Sequence, residues 1–358
     1  MTDKIINKIQ DQIQDKVQNH QRIDAFEALE LFHGADLLTL GSLANLRRFH
    51  LHPEKNITYV VDRNINYTNV CVSGCRFCAF YATPGEKQGY ILSREELGEK
   101  IQETLYLGGT QILLQGGMHP DLDLDFYVDM LSFIKDTYDI HIHGFSPPEI
   151  DFIAQKSGLS IAETISTLRE AGLASIPGGG AEILCDEIRE KASPNKCNST
   201  TWLEVMRQAH IQGMRSSATM MFGHLEEDIH IISHLEKIRN LQDETRGFTA
   251  FIPWTFQPGN TKISVQKKTS AEYLKVLALS RIFLDNIDNV QASWVTQGDK
   301  IAQVALFFGA NDMGSTMIEE NVVASAGVDF MLPEKELCRL ILTAGFTPCQ
   351  RDCYYNLL

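Results

Sequence analysis

Short β-rich runs alternate with amphipathic helical stretches along most of this chain, and that alternation constrains its fold more than any other feature. The β-rich runs begin near residue 57 and are ITYVVDRNIN, TQILLQG, IHIHGFS, LASIPGG, RSSATMMFG, FTAFIPW and NVQASWV, with a weaker eighth near LFFGANDMG. Strands that alternate with helices of about 10 to 15 residues form a parallel sheet. Eight such units over roughly 270 residues predict an α/β fold, a (β/α)8 barrel of the TIM type.

A doubly wound open sheet is the alternative architecture for the same alternation. Dinucleotide-binding sheets of that kind carry a Gly-x-Gly-x-x-Gly turn after the first strand, and the first unit here has none. The helical stretch that begins after Ser93, with Glu96 three residues later, has the spacing of a capping box and ends at a Gly pair. The barrel is therefore the preferred fold.

The chain divides into three predicted segments. Residues 1–55 form a helical N-terminal extension, residues 56–330 the barrel, and residues 331–358 a C-terminal helix and tail packed on the barrel. The apolar residues that recur every four positions in the first segment are Ile5, Ile9, Ile13 and Val17. This stripe predicts a helix that lies on the body of the protein or along a dimer seam, which leaves a homodimer open.

Composition excludes several classes of partner. The chain has 32 Lys and Arg against 46 Asp and Glu, a net charge of −14, and no dense basic run, which argues against nucleic acid or an anionic membrane. No run of 18 apolar residues is present, and the first twenty residues are too polar for a signal peptide, so we expect a cytoplasmic protein. Eight cysteines are too few for a disulfide scaffold, and a tight cysteine group then indicates metal binding or catalysis.

Three cysteines lie close together in the loop after the first strand. Cys71, Cys75 and Cys78 have the spacing C-x-x-x-C-x-x-C. A structural zinc site usually takes four protein ligands, and nothing nearby supplies the fourth. A [4Fe–4S] cluster normally takes four thiolates, so three on one short loop would leave one iron open to an outside ligand. A catalytic three-cysteine zinc site and a chance spacing of structural thiols are the alternatives.

This loop resembles the cysteine signature of the radical S-adenosylmethionine enzymes, in which S-adenosylmethionine chelates the open iron. From about residue 64 to residue 261 the chain resembles the futalosine-pathway enzymes of menaquinone synthesis. The segments that carry the resemblance are YTNVCVSGCRFCAFY, LLQGGMHP, FSPPEI, SIPGGGAEIL, TMMFGH and LQDETRGFTAFIPWTFQPGNT, with GANDMGSTMIEENVV beyond them. Trp254 and Gln257 in TAFIPWTFQPGNT favour the dehypoxanthine futalosine cyclase branch of that family.

The resemblance implies a reaction and its cofactors. A reduced [4Fe–4S] cluster would donate one electron to S-adenosylmethionine, and the 5′-deoxyadenosyl radical would take the ribose C4′ hydrogen of a nucleoside-derived substrate. The ribosyl radical would then close onto a benzoate-type ring, which yields cyclic dehypoxanthine futalosine. The implied electron donor is a flavodoxin or a ferredoxin with its reductase. The competing functions are an aminofutalosine synthase, which adds a radical to an enolpyruvyl ether, and an electron-transfer protein without a substrate.

The second strand's loop is implied to bind the methionyl group of S-adenosylmethionine. Gln115, Gly116 and Gly117 stand where the family has a Gly-Gly-Glu-like motif. Met118 replaces the acidic residue of that motif, so backbone carbonyls or Gln115 must receive the ammonium group. Glycine permits the close approach of chain and ligand that such a contact requires.

Four further residues complete the implied S-adenosylmethionine site. Glu182, in the Gly-rich turn after the fourth strand, is expected to bind the ribose hydroxyls, and Arg189 to pair with the carboxylate. The structural alternative for Glu182 is a carboxylate that stabilises the start of the following helix, and for Arg189 it is an exposed position on a charged helix face. Phe80 and Ser146 are the remaining expected cofactor contacts.

Ring closure needs a proton acceptor, and His224 and Glu149 are the catalytic candidates. His224 follows the fifth strand and has a suitable ordinary pKa, although it serves equally as a hydrogen-bonding group for substrate. Glu149 follows two prolines at a helix start, where a cap or a ribose contact is the alternative. Trp254 and Phe256 are expected to reach the aromatic ring of the substrate. The tail cysteines raise an auxiliary cluster as an option that the resemblance does not require: Cys338, Cys349 and Cys353.

Overall fold

The computed structural model describes residues 2–328 and 331–358, with side chains from residue 10 onward in those ranges. Of the N-terminal stripe, Ile13 and Val17 are buried, while the side chains of Ile5 and Ile9 lie outside the described residues. The predicted boundary at residue 330 also falls on residues outside the description. The division into three segments therefore stays a prediction.

The helices and strands alternate through the middle of the chain, as predicted. Within the described ranges the helices are α1 (Thr2–Gln18), α2 (Ala25–Gly34), α3 (Leu37–Leu51), α4 (Arg94–Tyr106), α5 (Leu124–Thr137), α6 (Pro147–Ser157), α7 (Ile161–Ala171), α8 (Asp186–Ala192), α9 (Ser199–Ile211), α10 (Asp228–Thr245), α11 (Ser270–Phe283), α12 (Trp294–Gln297), α13 (Asp299–Ala305), α14 (Val322–Ser325) and α15 (Glu334–Thr343). The strands are β1 (Asn56–Val60), β2 (Asp62–Asn66), β3 (Gln111–Gln115), β4 (His141–Gly144), β5 (Ser175–Ile176), β6 (Arg215–Phe222), β7 (Phe248–Thr255), β8 (Asn289–Val290), β9 (Asp312–Ser315) and β10 (Thr347–Gln350).

Strands β2 to β8 form one parallel sheet in chain order, and β9 pairs with β1 in a second sheet whose order is β10-β1-β9. Hydrogen bonds to β9 and from the segment after it link the two edges of the larger sheet. On one side the amide of Ala292, just after β8, donates to the carbonyl of Asp312 at 2.9 Å. On the other side the amide of Ile318 donates to the carbonyl of Asp62 at 3.1 Å. These bonds link the two edges of the seven-stranded sheet through β9 and the residues that follow it, and the parallel sheet flanked by helices confirms the predicted α/β barrel fold. The first predicted strand is divided at Val61 into β1 and β2.

Local capping fixes the starts of the helices around the ring. Ser93 and Glu96 form the predicted capping box: the Ser93 hydroxyl accepts from the Glu96 amide at 3.2 Å, and the Glu96 carboxylate accepts from the Ser93 amide at 2.8 Å. The helix that follows turns Leu97 and Ile101 into the core. Because helices connect the successive strands of the parallel sheet, the loops after these strands open at the same end of the sheet.

The C-terminal tail contributes a strand that the sequence analysis did not predict. Strand β10 pairs in parallel with β1, from Asn56 opposite Thr347 to Tyr59 opposite Gln350. Past β10, the buried Arg351 guanidinium donates to both carboxylate oxygens of Asp312, at 2.6 and 3.1 Å. The tail therefore covers the amino-terminal ends of the strands, opposite the loops. Among the described residues, no helix combines the length and apolar character that a membrane crossing requires.

Candidate active site

A cavity of about 280 Å³ lies inside the ring of strands. Its walls are side chains that point inward from successive strands, among them Asn64, Gln115, His143, Thr219 and Trp254. Its loop end is lined by Gly179, Gly180 and Glu182, and its opposite end by Arg351, Cys353 and Tyr355. The cavity therefore connects the loops after the strands with the covering tail.

The three predicted cysteines lie on one loop after β2. Cys75 is buried, and Cys71 and Cys78 are half-buried. The Ser73 hydroxyl lies 3.1 Å from the Cys71 sulfur and 3.1 Å from the Cys75 sulfur. The amide of Met118, from the next loop, donates to the Cys71 sulfur at 3.3 Å. Backbone N–H groups thus already point at a sulfur of this loop, as they do around thiolate ligands.

Burial favours the protonated form of two of these thiols, Cys75 and Cys78. It raises the pKa of Cys75 to about 11, against the lowering effect of the Lys196 ammonium. Burial also raises the pKa of Cys78, although hydrogen bonds from the backbone at Phe80 and Tyr81 work in the opposite direction. A metal that binds here must displace those protons, because cysteine coordinates metals as a thiolate.

The Gly pair after β3 brings the second loop against the cysteine loop. A Cβ on Gly117 would lie 2.2 Å from the carbonyl oxygen of Val70 and 2.9 Å from the Cys71 Cβ. The Gly117 amide also donates to the carbonyl of Thr68 at 2.9 Å. A Cβ on Gly116 would lie 2.5 Å from the ring of Tyr67. These glycines therefore permit close contact between two loops, and the Gln115 side chain lines the cavity beside them.

Glu149 closes a capping box and holds two loops together. One carboxylate oxygen accepts from the Tyr67 hydroxyl at 2.8 Å and from the Gly116 amide at 2.9 Å. The other accepts from the Ser146 amide at 2.7 Å and from the Ser146 hydroxyl at 2.6 Å. Burial raises the pKa of Glu149. Both oxygens are engaged away from the cavity, so the structure does not favour the predicted role of Glu149 as a base, nor a cofactor contact by the Ser146 hydroxyl.

Glu182 lies at the loop end of the cavity in a strained conformation, with φ at +42°. One carboxylate oxygen accepts from the Lys196 ammonium at 3.1 Å. The other is buried, lies 3.5 Å from Arg189, and has no hydrogen-bond partner among the described residues. Strain and an unpartnered acceptor are typical of functional sites.

Arg189 is occupied by the backbone of its own loop. Its guanidinium donates to the carbonyls of Gly180 at 3.1 Å, Ala181 at 2.6 Å and Cys197 at 2.7 and 3.1 Å. Only 4% of the residue is exposed. Arg189 therefore shapes the loop that carries Glu182, and its expected pairing with a ligand carboxylate stays a prediction.

Lys196 is a cation at this site that the sequence analysis missed. Its ammonium lies 5.0 Å from the centre of the Phe77 ring in the cysteine loop. Burial works against its charge, but Cys75 and Glu182 raise the pKa of Lys196 above its ordinary value. A single lysine between helices carries no sequence signal, because only the fold brings it beside the cysteines.

His224 does not reach the cavity. Its ring is buried edge-on against Phe256, with ring centres 6.1 Å apart, and one nitrogen pairs with the Met221 carbonyl at 3.1 Å. Burial lowers its pKa, against the raising effect of Glu226, so the imidazole is neutral at pH 7. In the described part of the chain His224 is absent from the cavity lining, and so is Phe256. Trp254 does line the cavity, and its contact with a substrate ring stays a prediction.

Phe80 faces a separate depression beside the cysteine loop, which it shares with Asn66 and Tyr90. The tail cysteines do not gather into one group. Cys353 lines the floor of the cavity, Cys349 lies on β10, and Cys338 belongs to α15. The auxiliary cluster raised by the tail sequence therefore finds no common site among these three thiols.

Comparison with known proteins places this geometry in a family. A family model of the radical SAM superfamily matches residues 65–238, and a model of the CofH/MqnC C-terminal region matches residues 245–358. Cyclic dehypoxanthine futalosine synthase from Halalkalibacterium halodurans is 45% identical over 350 residues, which cover 97% of this chain and 95% of the relative. The 5-amino-6-(D-ribitylamino)uracil–L-tyrosine 4-hydroxyphenyl transferase of Archaeoglobus fulgidus is 44% identical over 309 residues, or 84% of this chain and 89% of the relative.

The fold has a counterpart among solved structures. Methylornithine synthase superposes with a TM-score of 0.73 at 20% identity, over 94% of this chain and 97% of the other. That likeness concerns the fold alone. The sequence relatives span nearly the whole chain, and the cysteine loop lies inside the first matched region. The protein therefore belongs to the radical SAM superfamily, in the group of enzymes with a CofH/MqnC-type C-terminal region.

Proposed function

We propose that this protein converts dehypoxanthine futalosine to cyclic dehypoxanthine futalosine in menaquinone biosynthesis. The observation that carries the proposal is the 45% identity to the synthase of that name, over 97% of this chain. When bound, a [4Fe–4S] cluster and S-adenosylmethionine supply a 5′-deoxyadenosyl radical, which takes the C4′ hydrogen atom of the substrate ribose. A flavodoxin or ferredoxin with its reductase is proposed as the electron donor.

Three thiolates are proposed to hold the cluster. Cys71, Cys75 and Cys78 suit iron–sulfur ligation because they share one short loop with N–H donors near the sulfurs. The Lys196 ammonium adds a positive charge beside Cys75, and it balances part of the negative charge that three thiolates bring. Gly117 keeps the neighbouring loop close enough for its backbone to support this arrangement.

S-adenosylmethionine is proposed to bind between the cysteine loop and Glu182. The unpartnered carboxylate oxygen of Glu182 accepts hydrogen bonds from ribose hydroxyls, as a buried acceptor without a donor requires. Because Arg189 is bonded to backbone carbonyls, we assign the ligand carboxylate to Lys196. Gln115, on the cavity wall near Gly179, remains the proposed contact for the methionyl ammonium.

The cavity is proposed to hold the substrate and exclude water from the radical. Trp254 offers an apolar surface to the aromatic ring, and Asn64 and Thr219 offer polar groups to the sugar. His224 and Glu149 are proposed to support this cavity from behind its wall, because both are bonded within the protein and neither lines it.

Isotope transfer tests the proposal. Reconstituted protein is incubated anaerobically with S-adenosylmethionine, a reductant and dehypoxanthine futalosine deuterated at C4′, and Cys75→Ala serves as the matched control. We expect one deuterium in 5′-deoxyadenosine and a product two hydrogens lighter than its substrate. Deuterium retained wholly in the product would exclude C4′ as the site of abstraction.

The archaeal relatives favour a second candidate function. The transferase of Archaeoglobus fulgidus is 44% identical to this chain, almost as similar as the synthase. The same reconstituted protein should therefore also be offered 5-amino-6-(D-ribitylamino)uracil with L-tyrosine, and an enolpyruvyl ether for aminofutalosine synthase. Turnover of either of these, with dehypoxanthine futalosine left unchanged, would reassign the protein.

A further inference from the structure

The floor of the cavity gathers metal-binding side chains that the proposed function does not use. His141 and His143 are two positions apart on β4 and therefore project from the same face of the strand. Cys353 reaches the same place from the tail. One ring nitrogen of each histidine and the cysteine sulfur all lie within 4.8 Å of one another.

The three groups converge on one point, which the Ser175 hydroxyl marks. Its oxygen lies 2.7 Å from His141 Nε2, 2.6 Å from His143 Nδ1 and 3.3 Å from the Cys353 sulfur. Three ligand atoms of the types that soft and borderline metals take are thus already aimed at a common centre. His141 is half-buried, while Ser175 and Cys353 are buried.

We propose that His141, His143 and Cys353 bind one zinc-type divalent cation at the floor of the cavity, opposite the cysteine loop. Imidazole nitrogen and thiolate sulfur are the ligands that zinc prefers, at about 2.0–2.1 Å and about 2.3 Å. The Ser175 oxygen occupies that point in this structure, so a metal there requires the Ser175 hydroxyl to rotate aside. A water molecule would then supply the fourth ligand, as in zinc sites with three protein ligands.

The surrounding charges permit a cation here. Arg351 is the nearby cation on the same tail, and its guanidinium is paired with both oxygens of Asp312. Deprotonated Cys353 would itself supply one negative charge. A metal at this point would join the tail to β4, and so fix the floor of the cavity that Cys353 and His143 line.

Metal content of the holoenzyme gives the first test. Reconstituted protein, whose cysteine loop is occupied by its cluster, is equilibrated with Zn²⁺, desalted and analysed for zinc and iron. We expect one zinc per chain in the natural protein and none in Cys353→Ser. Cys349→Ser is the matched control, because that half-buried thiol lies four residues earlier on β10, and it should retain the zinc.

Cobalt spectroscopy gives the second test and identifies the ligands. A full-length variant with Cys71, Cys75 and Cys78 replaced by alanine is titrated with Co²⁺ under argon. We expect a sulfur-to-cobalt charge-transfer band that saturates at one equivalent and is removed by Zn²⁺. His141→Gln on this background should weaken Co²⁺ binding about tenfold or more, while its circular dichroism stays unchanged.

The outcomes decide the proposal in either direction. Equal zinc in the natural protein and in Cys353→Ser overturns it, and so does a cobalt complex without a sulfur band. If Cys353→Ser does not fold, His141→Gln decides, because undiminished Co²⁺ affinity in that variant overturns the proposal by itself.

Discussion

Gly117→Ala tests whether the second loop supports the cysteine loop. The added Cβ would lie 2.2 Å from the Val70 carbonyl oxygen and 2.9 Å from the Cys71 Cβ. The distance to the Val70 oxygen is about 1.2 Å less than the 3.4 Å at which ordinary van der Waals contact begins. Because that oxygen belongs to the backbone, it cannot move aside as a flexible side chain would. The cysteine loop must therefore move away from the loop that donates to its sulfur.

The expected loss is larger for the metal site than for the fold. Overpacking of this kind costs about 1 to 3 kcal/mol. Unfolding entropy of about 2.1 cal/mol/K per residue then gives a decrease in melting temperature of only about 1 to 4 °C for a chain of this length. A displacement near 1 Å is, however, large against the tolerance of a ligand set, so we expect the variant to retain less than about half of its iron.

Iron per chain after reconstitution, visible absorption and melting temperature are the measurements. Gly74→Ala is the control in the cysteine loop itself, because its Cβ would meet nothing within 4 Å. Its φ of +60° adds only a local cost of about 1 to 2 kcal/mol. Gly117→Ala with full iron content, or Gly74→Ala with an equal loss of iron, would refute this account of the loop contact.

Four further predictions follow from the same geometry. Cys78→Ala should lower iron from about four per chain to nearly none, and full iron in that variant contradicts the ligand assignment. Glu182→Gln should weaken S-adenosylmethionine binding by about 1 to 3 kcal/mol in a titration, whereas unchanged affinity with a lower melting temperature would indicate a purely structural role. Glu149→Gln should lower the melting temperature and iron content because two donors on one side lose their acceptor; a stable, iron-replete but inactive variant would restore it as a base. Burial lowers the pKa of His210 to about 4, so the folded state binds fewer protons than the unfolded state below pH 6.5 and the free energy of unfolding decreases as pH falls. We expect a decrease of about 2 kcal/mol from this ring between pH 7 and pH 5 by denaturant titration, and a slope that His210→Gln leaves unchanged would argue against it.

The barrel could be predicted from the sequence because its signals are local. Strand patterns, the capping box at Ser93 and the Gly stops each depend on a few adjacent residues, and the alternation of types then restricts the topology. Strand β10 escaped prediction for the opposite reason. Thr347 to Gln350 contains a proline and pairs with β1, almost the whole chain away, so nothing in its own sequence indicates a strand.

The cysteine group proposed as the metal site could be recognised for the same local reason, since its three cysteines lie on one loop at a short, defined spacing. The roles of Arg189 and Lys196 could not be recognised, because both follow the same glycine-rich turn and both lie near Glu182. Only the fold bonds the Arg189 guanidinium to backbone carbonyls and leaves the Lys196 ammonium to donate to the Glu182 carboxylate. Glu149 is a different case. Ser146 and Glu149 have the same spacing as Ser93 and Glu96. The sequence therefore indicated a capping box at Glu149 as clearly as it indicated a catalytic carboxylate.

The loops after β2, β3 and β4 form one connected support behind the cysteines. Met118 donates to Cys71, Gly117 donates to Thr68, and Glu149 joins Gly116 to the third loop. A highly reactive radical must be produced next to the atom that it attacks, so the groups that position the ligands need to be rigid. This requirement explains why Glu149, which resembles a catalytic base, accepts hydrogen bonds at both carboxylate oxygens within this support. The chemistry itself is left to the groups that face the cavity.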